Sequence, residues 1–291
     1  MGSLCLSGLA SVGSSEKKES ALEHEEPDIA IVVLTHNRLH LLQQCVTRVL
    51  RRVSDRTREI IIWDNGSDDG TASFLATLTD PRMRVVRHEK NIGPSAYDLA
   101  FAETTSSYLV ELDDDVIDAP DHWDTTLLAA FKRLEDEVGL LSANLVDNPH
   151  DAAARLMYGQ NAHLYRTVNR KGLELKIGGP IGGGCAITSR ATYDRVGGFG
   201  RNKKLAYWSS DTSYMRKLDA VGLSAAYLTS IEVLHAGGRH YAAIPSAKYE
   251  FWRDRSRRAA RRNAIKRAIL FVPYARQLNE RHRWFVPPDR S

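Results

Sequence analysis

The sequence predicts an α/β protein built on a mostly parallel, doubly wound central sheet flanked by helices. Three observations carry that prediction. Apolar runs of strand type alternate with segments of helical period over about 85 residues from Asp28, the pattern of a parallel sheet. The first run, Ile29-Ala30-Ile31-Val32-Val33-Leu34, is apolar without interruption, as expected of a strand covered on both faces. Each strand-like run also ends in polar residues, Thr35-His36-Asn37-Arg38, Asp64-Asn65, His88 and Asp113-Asp114-Asp115. In such sheets ligands bind outside the carboxyl ends of the strands.

The elements follow in order. After the strand 29–34, apolar residues Leu39, Leu42, Cys45, Val46, Val49 and Leu50 fall at helical spacing between Arg38 and Arg52. A second strand, 59–63, runs into the turn-forming Asp64-Asn65-Gly66-Ser67-Asp68-Asp69-Gly70, and a helix over 71–78 leads to a third strand, 83–88. Asn91-Ile92-Gly93-Pro94 opens a helix over 95–104, and 108–112 is a fourth strand. Beyond Asp118 the alternation weakens to a helix over 123–137, a short strand 138–143, a segment without clear period over 147–176 that suits a hairpin or a substrate loop, and a glycine-rich stretch entering a strand at 185–188. A helix over 207–221, a strand over 225–234 and a long Arg-rich helix over 249–270 complete the chain. The expected organisation is a disordered leader (1–26), one domain with halves at 27–118 and 119–247, and a basic helical tail (248–291).

Composition narrows the class. The chain has 291 residues, of which 43% are hydrophobic and 26% charged, the balance of a globular protein. Three cysteines, Cys5, Cys45 and Cys185, are too few and too scattered for a disulfide framework or a CxxC metal knuckle, which points to a reducing, cytoplasmic setting. The longest aliphatic run is far short of the roughly 20 residues that span a bilayer. The net charge of +4 divides unevenly. Residues 248–291 hold 13 Lys/Arg against four Asp/Glu, leaving −5 for residues 1–247. An acidic body with a basic tail is not the profile of a nucleic-acid binder. The tail suits water, a polyanionic partner or the anionic inner face of a membrane.

Asp113-Asp114-Asp115, directly after a buried strand, is the most informative feature. Adjacent carboxylates repel one another, so a cation is their natural partner. Mg²⁺ or Mn²⁺ binds one or two carboxylates together with substrate phosphates. Alternate residues 113 and 115 can reach one ion while 114 points elsewhere; a solvated acidic turn is the bland alternative. Thr35, Asn37 and Arg38 at the first strand's exit suit a nucleotide and its phosphates. Asp64 suits a base imide or ribose hydroxyl, or else turn chemistry. The glycines of 178–184 match neither GxxxxGK[ST] nor GxGxxG. Gly183 and Gly184 instead suit close approach of backbone to a sugar. Asp211, preceded by Trp208-Ser209-Ser210, is either a helix cap or a general base in an aromatic setting. His235 closes the last core strand, as a metal ligand or a structural histidine.

Taken together, 31–38, 60–71, Asn91-Ile92-Gly93 and 112–115, with Gly182-Gly183-Gly184-Cys185-Ala186-Ile187-Thr188 and Val196-Gly197-Gly198-Phe199, resemble a GT-A fold glycosyltransferase of family 2, over residues 28–240. The resemblance implies a metal-dependent transfer of a sugar from a nucleoside-diphosphate sugar, UDP favoured by family frequency, to an acceptor hydroxyl with inversion. It places Thr35, Asn37, Arg38, Asp64, Asn91, Gly93, Asp113 and Asp114 with the nucleotide and Asp113 and Asp115 on the ion. It makes Asp211 the candidate base, standing after Ser210 where the family usually has Glu-Asp. Gly183, Gly184 and Trp208 fall on the sugar and acceptor side. The QxxRW motif of processive synthases is missing: Gln277-Leu278-Asn279-Glu280 lacks the Arg-Trp. The acceptor is a carbohydrate, a lipid-linked sugar or a small molecule, and a homodimer stays open. Rival readings are a retaining transferase on the same fold, a non-catalytic sugar-nucleotide-binding relative, and a pyrophosphorylase, whose first strand should lead into a glycine-rich loop.

Overall fold

A computed structural model describes residues 28–147, 164–200 and 210–236, together with isolated positions between 261 and 277. The first half runs β1 (Ile29–Thr35), α1 (Leu39–Gln44), β2 (Thr57–Asp64), α2 (Thr71–Leu75), β3 (Met83–Arg87), α3 (Ser95–Ala102) and β4 (Tyr108–Asp113). The second half adds β5 (Val116–Asp118), α4 (Trp123–Leu134), β6 (Val138–Asp147), β7 (Arg166–Arg170), β8 (Leu173–Ile177), β9 (Cys185–Ser189), α5 (Arg190–Val196), α6 (Ser210–Ala220) and β10 (Ser224–His235). All ten strands join one sheet in the order β3-β2-β1-β4-β9-β6-β10-β8-β7, with β5 against β10.

The β1 run is covered on both sides, as its unbroken apolarity predicts. Ile29, Ile31 and Val33 pack with Leu42, Val49 and Phe131 on one face, while Ala30 and Val32 pack with Tyr97, Phe101 and Tyr214 on the other. Each fully buried aliphatic side chain of this kind contributes about 1.5–3 kcal/mol. β1 pairs in parallel with β2 and β4, and β2 with β3. Past β4 the sheet is mixed. β4 and β6 run the same way with α4 as their crossover, and β9 enters between them antiparallel to both. β10 then pairs in parallel with β6. The carboxyl ends of β1, β2, β4, β6 and β10 therefore share one edge with the start of β9. That edge gathers every polar strand exit noted in the sequence.

Several elements depart from their sequence pattern. The single helix expected over 38–52 is α1 followed by a π turn (Cys45–Val49) and a 3-10 turn (Leu50–Arg52). There the Val49 carbonyl accepts a hydrogen bond from the buried Trp123 indole at 3.2 Å. α2 stops at Leu75, beyond which the backbone tightens to three-residue bonds, Thr77 N–H to the Phe74 carbonyl at 2.9 Å and Leu78 N–H to the Leu75 carbonyl at 3.2 Å. The segment 147–176 contains the hairpin strands β7 and β8, while 148–163 lies outside the described residues. α5 and β5 have no counterpart in the sequence reading. The leader, and most of the expected tail helix, also fall outside the described residues. Within that tail Arg261, Ala264, Ile265, Ala268 and Ile269 are helical and exposed. No helix among the described residues is long and apolar enough to cross a membrane.

Asp124, fully buried in the first turn of α4, ties this helix to the start of β2. Its carboxylate accepts from the Ser54 hydroxyl and the Thr57 hydroxyl, each at 2.7 Å, and from the Ser54 backbone N–H at 3.0 Å. Asp124→Ala strands those donors without an acceptor, and a buried unmet donor costs about 1–3 kcal/mol. The expected result is a loss of about 3 kcal/mol or more in unfolding free energy by urea titration; an unchanged midpoint would show that water replaces the carboxylate.

Candidate active site

The site begins where β1 and β2 end. Asn37 has left-handed backbone geometry, φ 52°. Its side-chain Oδ1 accepts from Asp68 N–H at 2.8 Å, and its backbone N–H donates to the Ser67 hydroxyl at 3.0 Å. Arg38 provides no side-chain cap for α1. Asp69, across the gap, accepts from the Leu39 N–H at 2.9 Å. Partial burial opposes the Asp69 charge, yet hydrogen bonds from Thr71 and Leu39 hold its carboxyl below the usual range. Gly66, at φ 81°, is required because a Cβ there would lie 3.1 Å from the Glu89 carbonyl. Asp64 is fully buried. One oxygen closes the turn by accepting from Ser67 N–H at 2.8 Å, and the other lies 3.5 Å from Arg87 Nε. Asn65, which the sequence reading passed over as turn chemistry, binds the next loop: its side chain donates to Asn91 at 2.9 Å and accepts from Ile92 N–H at 3.0 Å. Asn91 also accepts from Gly93 N–H at 2.8 Å. Asp64, Asn91 and Gly93 are thus brought to one place.

The three aspartates part company at the end of β4. Asp113 is partly exposed and lies 3.1 Å from the Tyr97 hydroxyl. Asp114 turns inward with no exposed surface, accepting from the Thr35 hydroxyl at 2.7 Å and pairing with Arg38 at 2.7 Å. Both oxygens of Asp114, and the Thr35 hydroxyl, are thereby engaged within the protein. Arg38 also pairs with Asp115 at 2.8 Å, and the other Asp115 oxygen lies 3.3 Å from His235 Nε2. Burial, reinforced by Asp115 and Asp113 against the pull of Arg38 and Thr35, pushes the Asp114 carboxyl up to about 7. Burial opposes the Arg38 charge, but the three aspartates around it raise its affinity for the proton.

Asp113, Asp115 and His235 each offer a ligand atom, and these atoms lie within 4.8 Å of one another. Two carboxylate oxygens and an imidazole nitrogen at that spacing fit a divalent cation such as Mn²⁺ or Mg²⁺. Asp113 ends β4, Asp115 stands in the turn before β5, and His235 ends β10, so residues 113 and 235 meet only through the sheet.

On the other side of Asp113 lies the glycine segment. Gly184 accepts the Asp113 N–H at 2.9 Å, and the Tyr227 hydroxyl accepts the Gly182 N–H at 2.7 Å. Gly183 N–H donates to Asp211 Oδ2 at 3.4 Å, which brings the first turn of α6 to the same edge. Beneath Gly183 is Glu111, a residue that sequence reasoning missed. It is 5% exposed, and burial followed by repulsion from Asp211 and Asp113 drives its carboxyl well above the ordinary range. A signal was present: it is the one charged residue inside the run Tyr108-Leu109-Val110-Glu111-Leu112. Trp208, expected beside the sugar, lies outside the described residues.

Arg38→Ala removes the counter-charge of two buried carboxylates, a change that costs about 3–5 kcal/mol when a buried pair is broken. The loss depends on pH. Asp114 binds its proton more tightly folded than unfolded, so between its ordinary carboxylate range and about pH 7 the native state holds the extra proton and stability falls as pH rises. The deficit of Arg38→Ala should be largest above about pH 7 and shrink toward about pH 5, read by thermal melting across pH; a deficit independent of pH would mean that the carboxylates do not sense Arg38.

An α/β sheet whose carboxylates gather at the carboxyl edge of its parallel strands is the architecture of a GT-A glycosyltransferase, and solved GT-A enzymes share it. A mannosyltransferase of Pyrobaculum calidifontis, solved with GDP-Man and Mn²⁺, superposes with a TM-score of 0.52 over 79% of this chain and 61% of its own, at 24% identity. GalNAc-T7, solved with UDP, GalNAc and Mn²⁺, gives a TM-score of 0.55 over 74% of this chain and 45% of its own, at 14% identity. At those identities what is shared is the fold. The family follows from the sequence itself: the profile of glycosyl transferase family 2 matches residues 30–196, and the chain belongs to that family. Among curated relatives, the uncharacterized protein y4gI of Sinorhizobium fredii is 25% identical over 78% of this chain. The succinoglycan biosynthesis protein ExoO of Rhizobium meliloti is 27% identical over 33% of it. The matched stretch spans 27% of the length of each of these relatives.

Proposed function

We propose that this glycosyltransferase moves a sugar from a nucleoside-diphosphate sugar, UDP foremost, to an acceptor hydroxyl in a metal-dependent, inverting, single-addition reaction. The observation that carries the reading is the convergence of Asp113, Asp115 and His235 within 4.8 Å at the edge that Asp211 also reaches. Asn37 and Arg38 line the nucleotide pocket, with Asp64 on the base and Asn91 and Gly93 beside it. Thr35 and Asp114 serve that pocket by fixing the Arg38 guanidinium. Asp113, Asp115 and His235 hold Mn²⁺ or Mg²⁺. When bound, such an ion neutralises the negative charge that develops on a departing diphosphate. Gly183 and Gly184 present their backbone to the sugar, the side-chain face of Gly183 being taken by Glu111. Asp211 takes the proton of the acceptor hydroxyl as its oxygen bonds to the anomeric carbon, and the bond from that carbon to the diphosphate breaks on the opposite face. Inversion follows from that single displacement. The missing Arg-Trp after Gln277 supports one addition per encounter.

The test is a thermal-shift screen of UDP-, GDP- and dTDP-sugars with Mn²⁺, with Mg²⁺ and with EDTA, followed by nucleoside-diphosphate release from the donor selected. A stabilising donor and metal-dependent release are expected. Full activity in EDTA would overturn the metal requirement, binding without release would mark a non-catalytic relative, and a product of retained anomeric configuration by NMR would assign the retaining mechanism.

The acceptor is proposed to be a carbohydrate, a lipid-linked sugar or a small molecule, met at the membrane by the basic tail. Ile265 and Ile269, one helical turn apart, are 60% and 42% exposed, in a segment dense in arginine. Apolar side chains beside cationic ones suit an anionic lipid surface, each basic residue contributing about 1 kcal/mol. The full chain should co-sediment with phosphatidylserine-containing vesicles, should not do so with neutral ones, and should be released by salt. Equal negligible binding to both would leave the tail as an intramolecular or dimer contact.

A further inference from the structure

We infer that Glu111 is a positioning residue of the acceptor side, holding the Gly182–Gly184 backbone and, through Gly183, the carboxylate of Asp211. The inference rests on the reading of Asp211 as the base. Glu111 stands two residues before Asp113 on β4, so both side chains leave the same face of the strand. It pairs across the sheet with Ala186 of β9, three residues beyond Gly183. Its Oε2 is buried and makes no hydrogen bond among the described residues. A filler of that space would be apolar, since a buried carboxyl is costly to desolvate.

What the carboxyl touches is Gly183. A Cβ built there would lie 2.2 Å from Glu111 Oε2, 2.3 Å from Cδ and 2.5 Å from Oε1. All three nearest atoms belong to one carboxyl group, pressed against the face where any other residue would carry its side chain. From the same glycine the N–H reaches Asp211 Oδ2 at 3.4 Å. Glycine at 183 and glutamate at 111 are therefore a matched pair: the missing side chain makes the space, the carboxyl fills it, and the turn between them sets where the Asp211 carboxylate rests. Displacement of a reacting group by about 1 Å can cost on the order of 10²-fold in rate.

Four variants test this: Glu111→Ala, Glu111→Gln, Gly183→Ala and the double Glu111→Ala/Gly183→Ala. Each is read as kcat and donor KM for nucleoside-diphosphate release, with Mn²⁺ and UDP binding measured in parallel. Glu111→Ala should lower kcat by roughly 10–100-fold while donor KM and Mn²⁺·UDP binding change by less than about twofold. Glu111→Gln, of the same shape, should recover most of that loss. Gly183→Ala should be impaired alone and improved by adding Glu111→Ala, because the new methyl enters the vacated space. Wild-type kcat in Glu111→Ala, a Gln variant as slow as the Ala variant, or a double variant no better than Gly183→Ala would each overturn the proposal. Asp211→Asn separates the two readings. Wild-type turnover there removes Asp211 as base, whereas the coupling between positions 111 and 183 is read from the other four variants alone.

Discussion

Asp211→Asn is expected to lower kcat by roughly 10²–10⁴ with donor affinity almost unchanged, the signature of an interaction made in the transition state and not in substrate binding. The substitution is chosen for what it keeps. Asp211 lies in the first turn of α6, where its charge also favours the positive end of the helix. Asn is similar in size and serves a helix N-terminus nearly as well, so the helix should persist. The Asn side chain also retains a carbonyl oxygen for the Gly183 N–H. What is lost is the negative charge and with it the capacity to take a proton. Full turnover by Asp211→Asn, measured as nucleoside-diphosphate release with acceptor saturating, would reduce Asp211 to a helix-terminal residue and send the search to another carboxylate at the same edge.

Asp115→Ala is expected to abolish turnover and to weaken Mn²⁺ binding by at least about 100-fold, since loss of even a supporting partner costs 10–100-fold in metal affinity. Asp115 is fully buried between Arg38 and His235, and its carbonyl accepts the Ala236 N–H at 2.8 Å. Alanine keeps that backbone bond, so β10 should stay attached to the end of β4. Arg38 retains Asp114, at 2.7 Å, as a counter-ion. The fold therefore survives while one of three ligand groups disappears. His235→Ala should follow in the same direction with a smaller effect, because both carboxylates remain. Calorimetric titration with Mn²⁺ in the presence of UDP compares the three proteins. Unchanged Mn²⁺ affinity in Asp115→Ala would remove this cluster as the metal site.

The sequence is legible where a residue's fate depends on its neighbours in the chain. β1, β2 and β4 are readable because strands buried on both faces carry near-continuous apolar runs, Glu111 being the exception within β4, and their polar exits mark the functional edge. Its limits are equally specific. A strand's partner and direction are not written in its own residues, so the insertion of β9 antiparallel between β4 and β6, and the docking of the β7–β8 hairpin against β10, emerge only in the folded sheet. Helix ends are displaced by side chains from elsewhere, as Trp123 does at Val49.

The same division runs through the site. The run of aspartates after a buried strand singled out Asp113 and Asp115, the place of Asp211 near a helix start and of His235 at a strand end marked those two, the family resemblance made Asp211 the candidate base, and composition alone excluded a disulfide framework. The sequence by itself determined the class of the protein: a family 2 glycosyltransferase chain on a GT-A sheet whose carboxylates collect at one edge. Tertiary structure alone decided which carboxylate faces which partner. It turned Asp114 onto Thr35 and Arg38, left Asp113 and Asp115 to meet His235 from the far end of the chain, and set Glu111 beneath Gly183. The physical reason is range. Local patterns report the burial of a stretch of chain, whereas a buried charge is settled by whichever counter-charge, hydrogen bond or vacant glycine face the fold brings within about 3 Å of it.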